Sequence, residues 1–143
     1  MTDSVITLEE LRDRLAAEFP QAFRPGSSLS ITKIWRGGAQ LRQAFRPSSL
    51  RPGGTISGGT MMMLADAAMY IAVLASIGWV PLAVTTNLSI HILRKPAARA
   101  LEAECRLLKL GKRLAVGEIG IRSEGEDELA AHATSTYSIP APA

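Results

Sequence analysis

The sequence predicts an α+β fold in which an antiparallel sheet wraps one long buried helix. Three observations carry this. The run 60–77 holds one charge, Asp66, in an otherwise largely apolar stretch rich in Ala, Met and Leu, a composition that favours helix at a length beyond that of an ordinary strand. A helix that is apolar on nearly all sides must be covered by other structure or by lipid. After it come stretches of alternating apolar and polar residues joined by short turns, the pattern of a sheet with one buried face.

The elements follow in order. Thr7-Leu-Glu-Glu10 is a capping-box pattern, and Leu8, Leu11, Leu15 and Phe19 line one side of a helix ending near Pro20. Residues 21–28, with Pro25 and Gly26, read as a loop. Residues 29–35 and 39–45 form two strands around the turn Gly37-Gly38, a hairpin. Residues 46–54 have no period and read as a loop. The central helix would span roughly 27 Å at 1.5 Å per residue. It ends at Gly78, and Pro81 forbids continuation. Val84, Leu88, Ile90 and Ile92 then alternate with Thr85, Asn87, Ser89 and His91. Residues 101–110 place Leu101, Ala103, Cys105 and Leu107 on one face; Gly111-Lys112 turns the chain into residues 114–123. An acidic turn, 124–128, leads to a last strand over 129–139. Residues 1–143 thus form a single domain, with an N-terminal helix and loop over 1–28 and a core over 29–139.

Composition narrows the function classes. Hydrophobic residues make up 47% of the chain and charged residues 20%, the balance of a globular protein. The single cysteine, Cys105, forbids an internal disulfide and, with an N-terminus unlike a signal peptide, predicts a cytoplasmic protein. A net charge of +3 mildly favours anionic partners. The basic residues are not interleaved with aromatics, so no nucleic-acid partner is expected. His91 and His132 are far apart and show no metal-ligand spacing, so no metal is expected. Asp66 inside the run, Gly78 and Pro81 at its end, and the strands after it argue against a membrane span. The Met61–Met63 run and Tyr70 read as core. Met62, Met69, Tyr70, Trp79 and the loop before Gly53 set the depth of any pocket.

A carboxylate on a buried helix costs several kcal/mol unless it is paired, solvated or protonated. Here Gly58 and Gly59 lie at the helix N-terminus, where free N–H groups and the helix dipole favour an anion. An anion-stabilising pocket and a lone carboxylate are the two halves of an acyl-transfer site. Gly59 and Asp66 are seven residues apart, roughly 10 Å along the axis. One helix cannot bring both to one carbonyl; two copies packed antiparallel across a two-fold axis can, which predicts a site shared by a dimer.

The order of elements, with Gly53-Gly-Thr-Ile-Ser-Gly-Gly59, Leu64-Ala-Asp66, Val84-Thr-Thr-Asn-Leu-Ser-Ile90 and Leu93-Arg-Lys-Pro-Ala97, resembles the hotdog-fold acyl-CoA thioesterases, most closely the phenylacetate-pathway type. The likeness covers roughly residues 29–139. In that family a Gly-Thr-x-His-Gly-Gly turn enters the helix, and an Asp nine residues after the His activates water or attacks the thioester. The resemblance implies a hotdog fold and the hydrolysis of an acyl-CoA to free acid and CoA, with the CoA thioester as substrate and no cofactor. Asp66 is then the general base or nucleophile, and the amide of Gly58, helped by Gly59, the oxyanion donor. Thr85 orients the water, with Thr86 and Asn87 beside it toward the substrate. Arg94, Lys95, Lys112 and Arg113 are the phosphate contacts. A homodimer, paired into a homotetramer, is implied as the assembly.

Two residues depart from the family pattern. Ser57 stands where the family has His; it either bonds a thioester oxygen or simply caps the helix. Arg51 stands where the family often has Asn; it either binds a substrate carboxylate or CoA phosphate, or pairs with Asp66 and quenches it. Both departures leave open a second class of function, a non-catalytic acyl-CoA or fatty-acyl binding protein.

Overall fold

The computed structural model describes residues 2–142. Helix α1 (Leu8–Glu18) is followed by the short helix α2 (Pro20–Phe23), then strands β1 (Leu29–Trp35) and β2 (Gly38–Gln43). Two short strands, β3 (Leu50–Arg51) and β4 (Thr55–Ile56), precede the central helix α3 (Gly58–Ile77). Strands β5 (Val84–Ile92), β6 (Leu101–Leu110), β7 (Leu114–Ser123) and β8 (Ala131–Ser138) complete the chain. Six strands form one antiparallel sheet in the order β1-β2-β6-β7-β8-β5, and α3 packs against all six. This is the hotdog architecture.

Helix α3 ends as its sequence requires. Gly78 takes φ +91°, which a side chain would resist, and its N–H closes on the Leu74 carbonyl at 2.9 Å. Leu64, Met69, Ile71 and Leu74 are fully buried. The helix comes so close to the sheet that a Cβ on Gly117 of β7 would meet the Met69 sulfur at 2.7 Å. By length and composition α3 could cross a membrane, but 67% of its apolar window is buried inside the fold.

The register sorts the sheet into apolar rows on the helix side. One row runs Ile31, Leu41, Ala103, Ile121, Ala131 and Ile92 across all six strands. Its first five members are at most 3% exposed, whereas Ile92, on the β5 edge, is 50% exposed. The β5 strand therefore presents a free hydrogen-bonding edge flanked by half-uncovered apolar residues, among them Val84 and Leu93.

Several sequence expectations need correction. Residues 21–23, read as loop, belong with Pro20 to α2, because Pro20 starts a new turn at its N1 position as well as ending α1. The loop over 46–54 contains a 3₁₀ turn (Pro47–Ser49) and the short β3–β4 pair. Register shifts between Ile31 and Lys33, Thr85 and Asn87, and Leu107 and Lys109 break the strict alternation in β1, β5 and β6. In the methionine run only Met61 is buried; Met62 and Met63 are exposed.

Candidate active site

Asp66 lies half-buried in α3, facing the start of β5 and the end of β8. The Thr85 hydroxyl donates to Asp66 Oδ1 at 2.5 Å, and the Tyr137 hydroxyl donates to the same oxygen at 3.2 Å. Tyr137 also reaches the Asp66 backbone carbonyl at 3.3 Å. Thr85 and Tyr137 are cross-strand partners in the β5–β8 ladder, so the sheet delivers both hydroxyls to one carboxylate. Among the described residues no hydrogen bond engages Oδ2, and Asp66 lines the cleft beside it. Burial raises the Tyr137 phenol above its usual pKa, and the Asp66 charge adds to this, so Tyr137 stays a neutral donor. Burial, helped by the Glu18 charge, likewise raises Tyr70.

This carboxylate borders a cleft of about 770 Å³, within the range of pockets that hold small organic ligands. Its walls come from α3, from the beginning of β5 and from the N-terminal helices. Tyr70, expected in the core, is buried and lines the cleft as well, with its hydroxyl donating to the Pro81 carbonyl at 3.0 Å. Trp79 lines it too. Met63, not Met62 or Met69, is the methionine that borders it.

The glycine end of α3 lies elsewhere. Ser57 is its N-cap: the Thr60 N–H donates to Ser57 Oγ at 3.3 Å, and the Ser57 and Thr60 hydroxyls lie 2.9 Å apart. Of the two readings of Ser57, the plain cap is the one its contacts support. The N–H groups of Gly58 and Gly59 find no partner among the described residues. A Cβ on Gly58 would sit 3.2 Å from Ile92 Cδ1, so Gly58 stands at the far end of β5 from Thr85. Seven residue steps of strand lead from Thr85 to Ile92, roughly 23 Å. Within one chain the oxyanion donors and the carboxylate are not brought together.

The remaining sequence candidates divide. Arg51 is exposed on the β3–β4 pair and makes no ion pair with Asp66 of its own chain. Thr86 donates to the Thr136 carbonyl at 3.3 Å, and Asn87 is exposed beyond the register shift. Arg94 pairs with Glu128 and donates to the Leu129 carbonyl, and Lys95 follows it, exposed, at the Ile92 end of the sheet. Lys112 and Arg113 lie in the β6–β7 turn, beside the row Leu114, Ser138 and Val84. The two basic pairs thus sit at opposite ends of the sheet within one chain. Tyr137 escaped the sequence reading. The alternation in β8 marks it as inward, but nothing in the sequence pairs it with Asp66.

The chain matches the family model described as thioesterase superfamily over residues 53–130. A solved protein from Silicibacter sp. TM1040, described provisionally as a thioesterase, is 43% identical over 98% of this chain and 96% of its own, with a TM-score of 0.86. A point mutant of the phenylacetic acid degradation protein PaaI from Thermus thermophilus is 26% identical, over 79% of this chain and 94% of its own, with a TM-score of 0.70. The protein smu.793 from Streptococcus mutans, solved bound to acetyl-CoA, shares the fold at 21% identity over 82% of this chain and 92% of its own, with a TM-score of 0.70. No curated protein matches the chain by sequence. The family match and the closely similar Silicibacter structure agree with the helix-in-sheet architecture: the chain belongs to the thioesterase superfamily.

Proposed function

We propose that the protein is an acyl-CoA thioesterase whose active site is completed by a second copy of the chain. The observation that carries this is the Asp66 carboxylate, which lines a largely apolar cleft and is held through Oδ1 by Thr85 and Tyr137, with Oδ2 unbonded among the described residues. Antiparallel pairing of β5 with the partner's β5 would continue the sheet and cover Ile92 and Val84. It would also lay the Ile92 end of the partner against the Thr85 end of this chain. The partner's glycine amides would then stand near Asp66.

In that arrangement the thioester carbonyl accepts hydrogen bonds from the Gly58 and Gly59 amides across the two-fold axis. Asp66 takes a proton from water as the water oxygen bonds to the carbonyl carbon. The negative charge that develops on the carbonyl oxygen is met by preorganised donors. Collapse breaks the carbon–sulfur bond, the proton goes to the leaving sulfur, and free acid and CoA depart. Thr85 acts by holding the carboxylate rather than by reaching the water alone. The same pairing would place the partner's Arg94 and Lys95 at the sheet end that carries Lys112 and Arg113, a basic rim for the CoA phosphates. The acetyl-CoA held by the Streptococcus mutans protein supports the ligand class. A buried, unpaired Cys105 supports the cytoplasmic assignment.

One observation favours a second reading, a non-catalytic acyl-CoA binding protein. Ser57, at the family's His position, is engaged in capping the helix. A panel of short, long and aromatic acyl-CoAs, with CoA release followed by a thiol reagent, separates the two. Turnover by the wild type that collapses in Asp66→Asn supports the thioesterase. Saturable acyl-CoA binding without turnover supports the binding protein.

A further inference from the structure

The cleft at Asp66 is walled on its far side by the N-terminal extension. Phe19, which ends α1, and Ala22 and Phe23 of α2 line it together with Tyr70 and Tyr137. Four aromatic rings form a continuous row leading away from the carboxylate. Ring centres are 6.2 Å apart from Tyr137 to Tyr70, 6.1 Å from Tyr70 to Phe19 and 5.6 Å from Phe19 to Phe23. The row begins at the hydroxyl bonded to Asp66 and ends in α2.

Two features distinguish this wall from a loose flap. Helix α1 is anchored by Leu11 and Leu15, both fully buried, and Arg12 Nη2 donates to the Ile31 carbonyl at 2.6 Å. Yet Phe19 keeps 38% of its surface exposed, apolar area that an apolar ligand would remove from water. The extension also lies outside residues 53–130, the portion matched by the family model.

We propose that the extension builds an acyl-chain subsite and selects thioesters with medium-length apolar acyl groups over short ones. This rests on the thioesterase reading and deepens it. An extended hydrocarbon advances about 1.2 Å per bond, so a chain that starts beside the Tyr137 ring takes about ten bonds to pass Tyr70 and reach Phe19. Shorter acyl groups end before the extension and gain nothing from it.

The test compares kcat/KM for decanoyl-CoA and butyryl-CoA in wild type, Phe19→Ala, Phe23→Ala and Ala22→Trp. Far-ultraviolet circular dichroism and Tm report whether each variant is folded. The wild type is expected to favour decanoyl-CoA at least tenfold. Phe19→Ala, which widens the wall, and Ala22→Trp, which fills the cleft, should each lower the decanoyl-to-butyryl ratio about tenfold, and Phe23→Ala about threefold. A wild type that treats both substrates alike, or a ratio that no folded variant changes, overturns the proposal. If the wild type turns over neither of these nor any other acyl-CoA of the panel, the thioesterase reading fails. The subsite is then judged by calorimetry of the two acyl-CoAs: tighter binding of decanoyl-CoA, lost in Phe19→Ala and Ala22→Trp, upholds it, and equal binding overturns it.

Discussion

Gly58 and Asp66 stand on one helix but beside opposite ends of one strand: Gly58 against Ile92, Asp66 hydrogen-bonded to Thr85. Strand β5 thereby serves as a ruler for the proposed site. In the proposed dimer, reversing a second copy along its free edge would exchange the two ends and bring each carboxylate to the other chain's glycines. The half-exposed Ile92, at the end of an otherwise buried six-residue row, is what an edge awaiting such a partner would show.

The two hydroxyls on Asp66 Oδ1 should matter for rate more than for fold. Hydrogen bonds to a charged group contribute roughly 1.5–3 kcal/mol each, so Thr85→Val and Tyr137→Phe should each lower kcat by about tenfold to a hundredfold. The double variant should lose less than the product of the two, because both act through one oxygen. Steady-state kinetics of the four proteins checks this, and fully multiplicative losses would count against a shared role.

Cys105 should be silent in the native protein. It is fully buried, with its sulfur 3.8 Å from that of Met69, and burial pushes its thiol up to about 12. A thiol reagent at pH 8 should titrate no cysteine until denaturant is added, and then one per chain. CoA release can accordingly be followed without correction for the protein thiol.

Alkaline conditions should destabilise the fold through the same cysteine and through Tyr137. Both groups have a folded pKa raised by burial, Cys105 to about 12. A raised pKa contributes stability that is fully present below the unfolded value and is lost as pH rises through the folded one. Stability should therefore hold to about pH 8.5 and then fall by up to about 1.4 kcal/mol per pH unit per group. Urea unfolding across pH 8 to 12 measures the slope, and Tyr137→Phe should make it shallower above pH 10.

The N-terminal extension should be part of the cooperative unit. Leu15 of α1 is 0% exposed, and replacing such a residue with alanine costs about 2–5 kcal/mol. Urea denaturation of Leu15→Ala should give a single transition shifted by that amount. Two separate transitions would show α1 folding apart from the sheet.

How much of this the sequence carried depends on the kind of signal involved. Gly78 and the long apolar run bounded α3 because a helix end leaves local marks. The strands of the core were legible from alternation, although alternation cannot locate a bulge, so the shifts at Thr32, Thr86 and Leu108 were invisible. Helix α3 is apolar on nearly every side, so its pattern could not separate the exposed Met62 and Met63 from the buried Met61. Asp66 stood out as the one charge in its helix. Its partner Tyr137 did not, because a contact across 71 residues leaves no local trace. Helix α2 was missed for a related reason: four residues after a proline show no period, and their place in the cleft wall depends on tertiary packing.

The central claim, that each site draws its carboxylate from one chain and its oxyanion donor from another, can be tested by mixing two inactive proteins. Asp66→Asn removes the base. Gly58→Pro removes an amide donor at the N1 position, where proline suits a helix. Each homodimer should be inactive. Co-expressed with random pairing, half the dimers carry one native site of two, so activity should return to about a quarter of wild type. Recovery near that level is the predicted result. Mixed dimers, demonstrated by differential tags, that show no activity above either parent would contradict the account and place both functions within one chain.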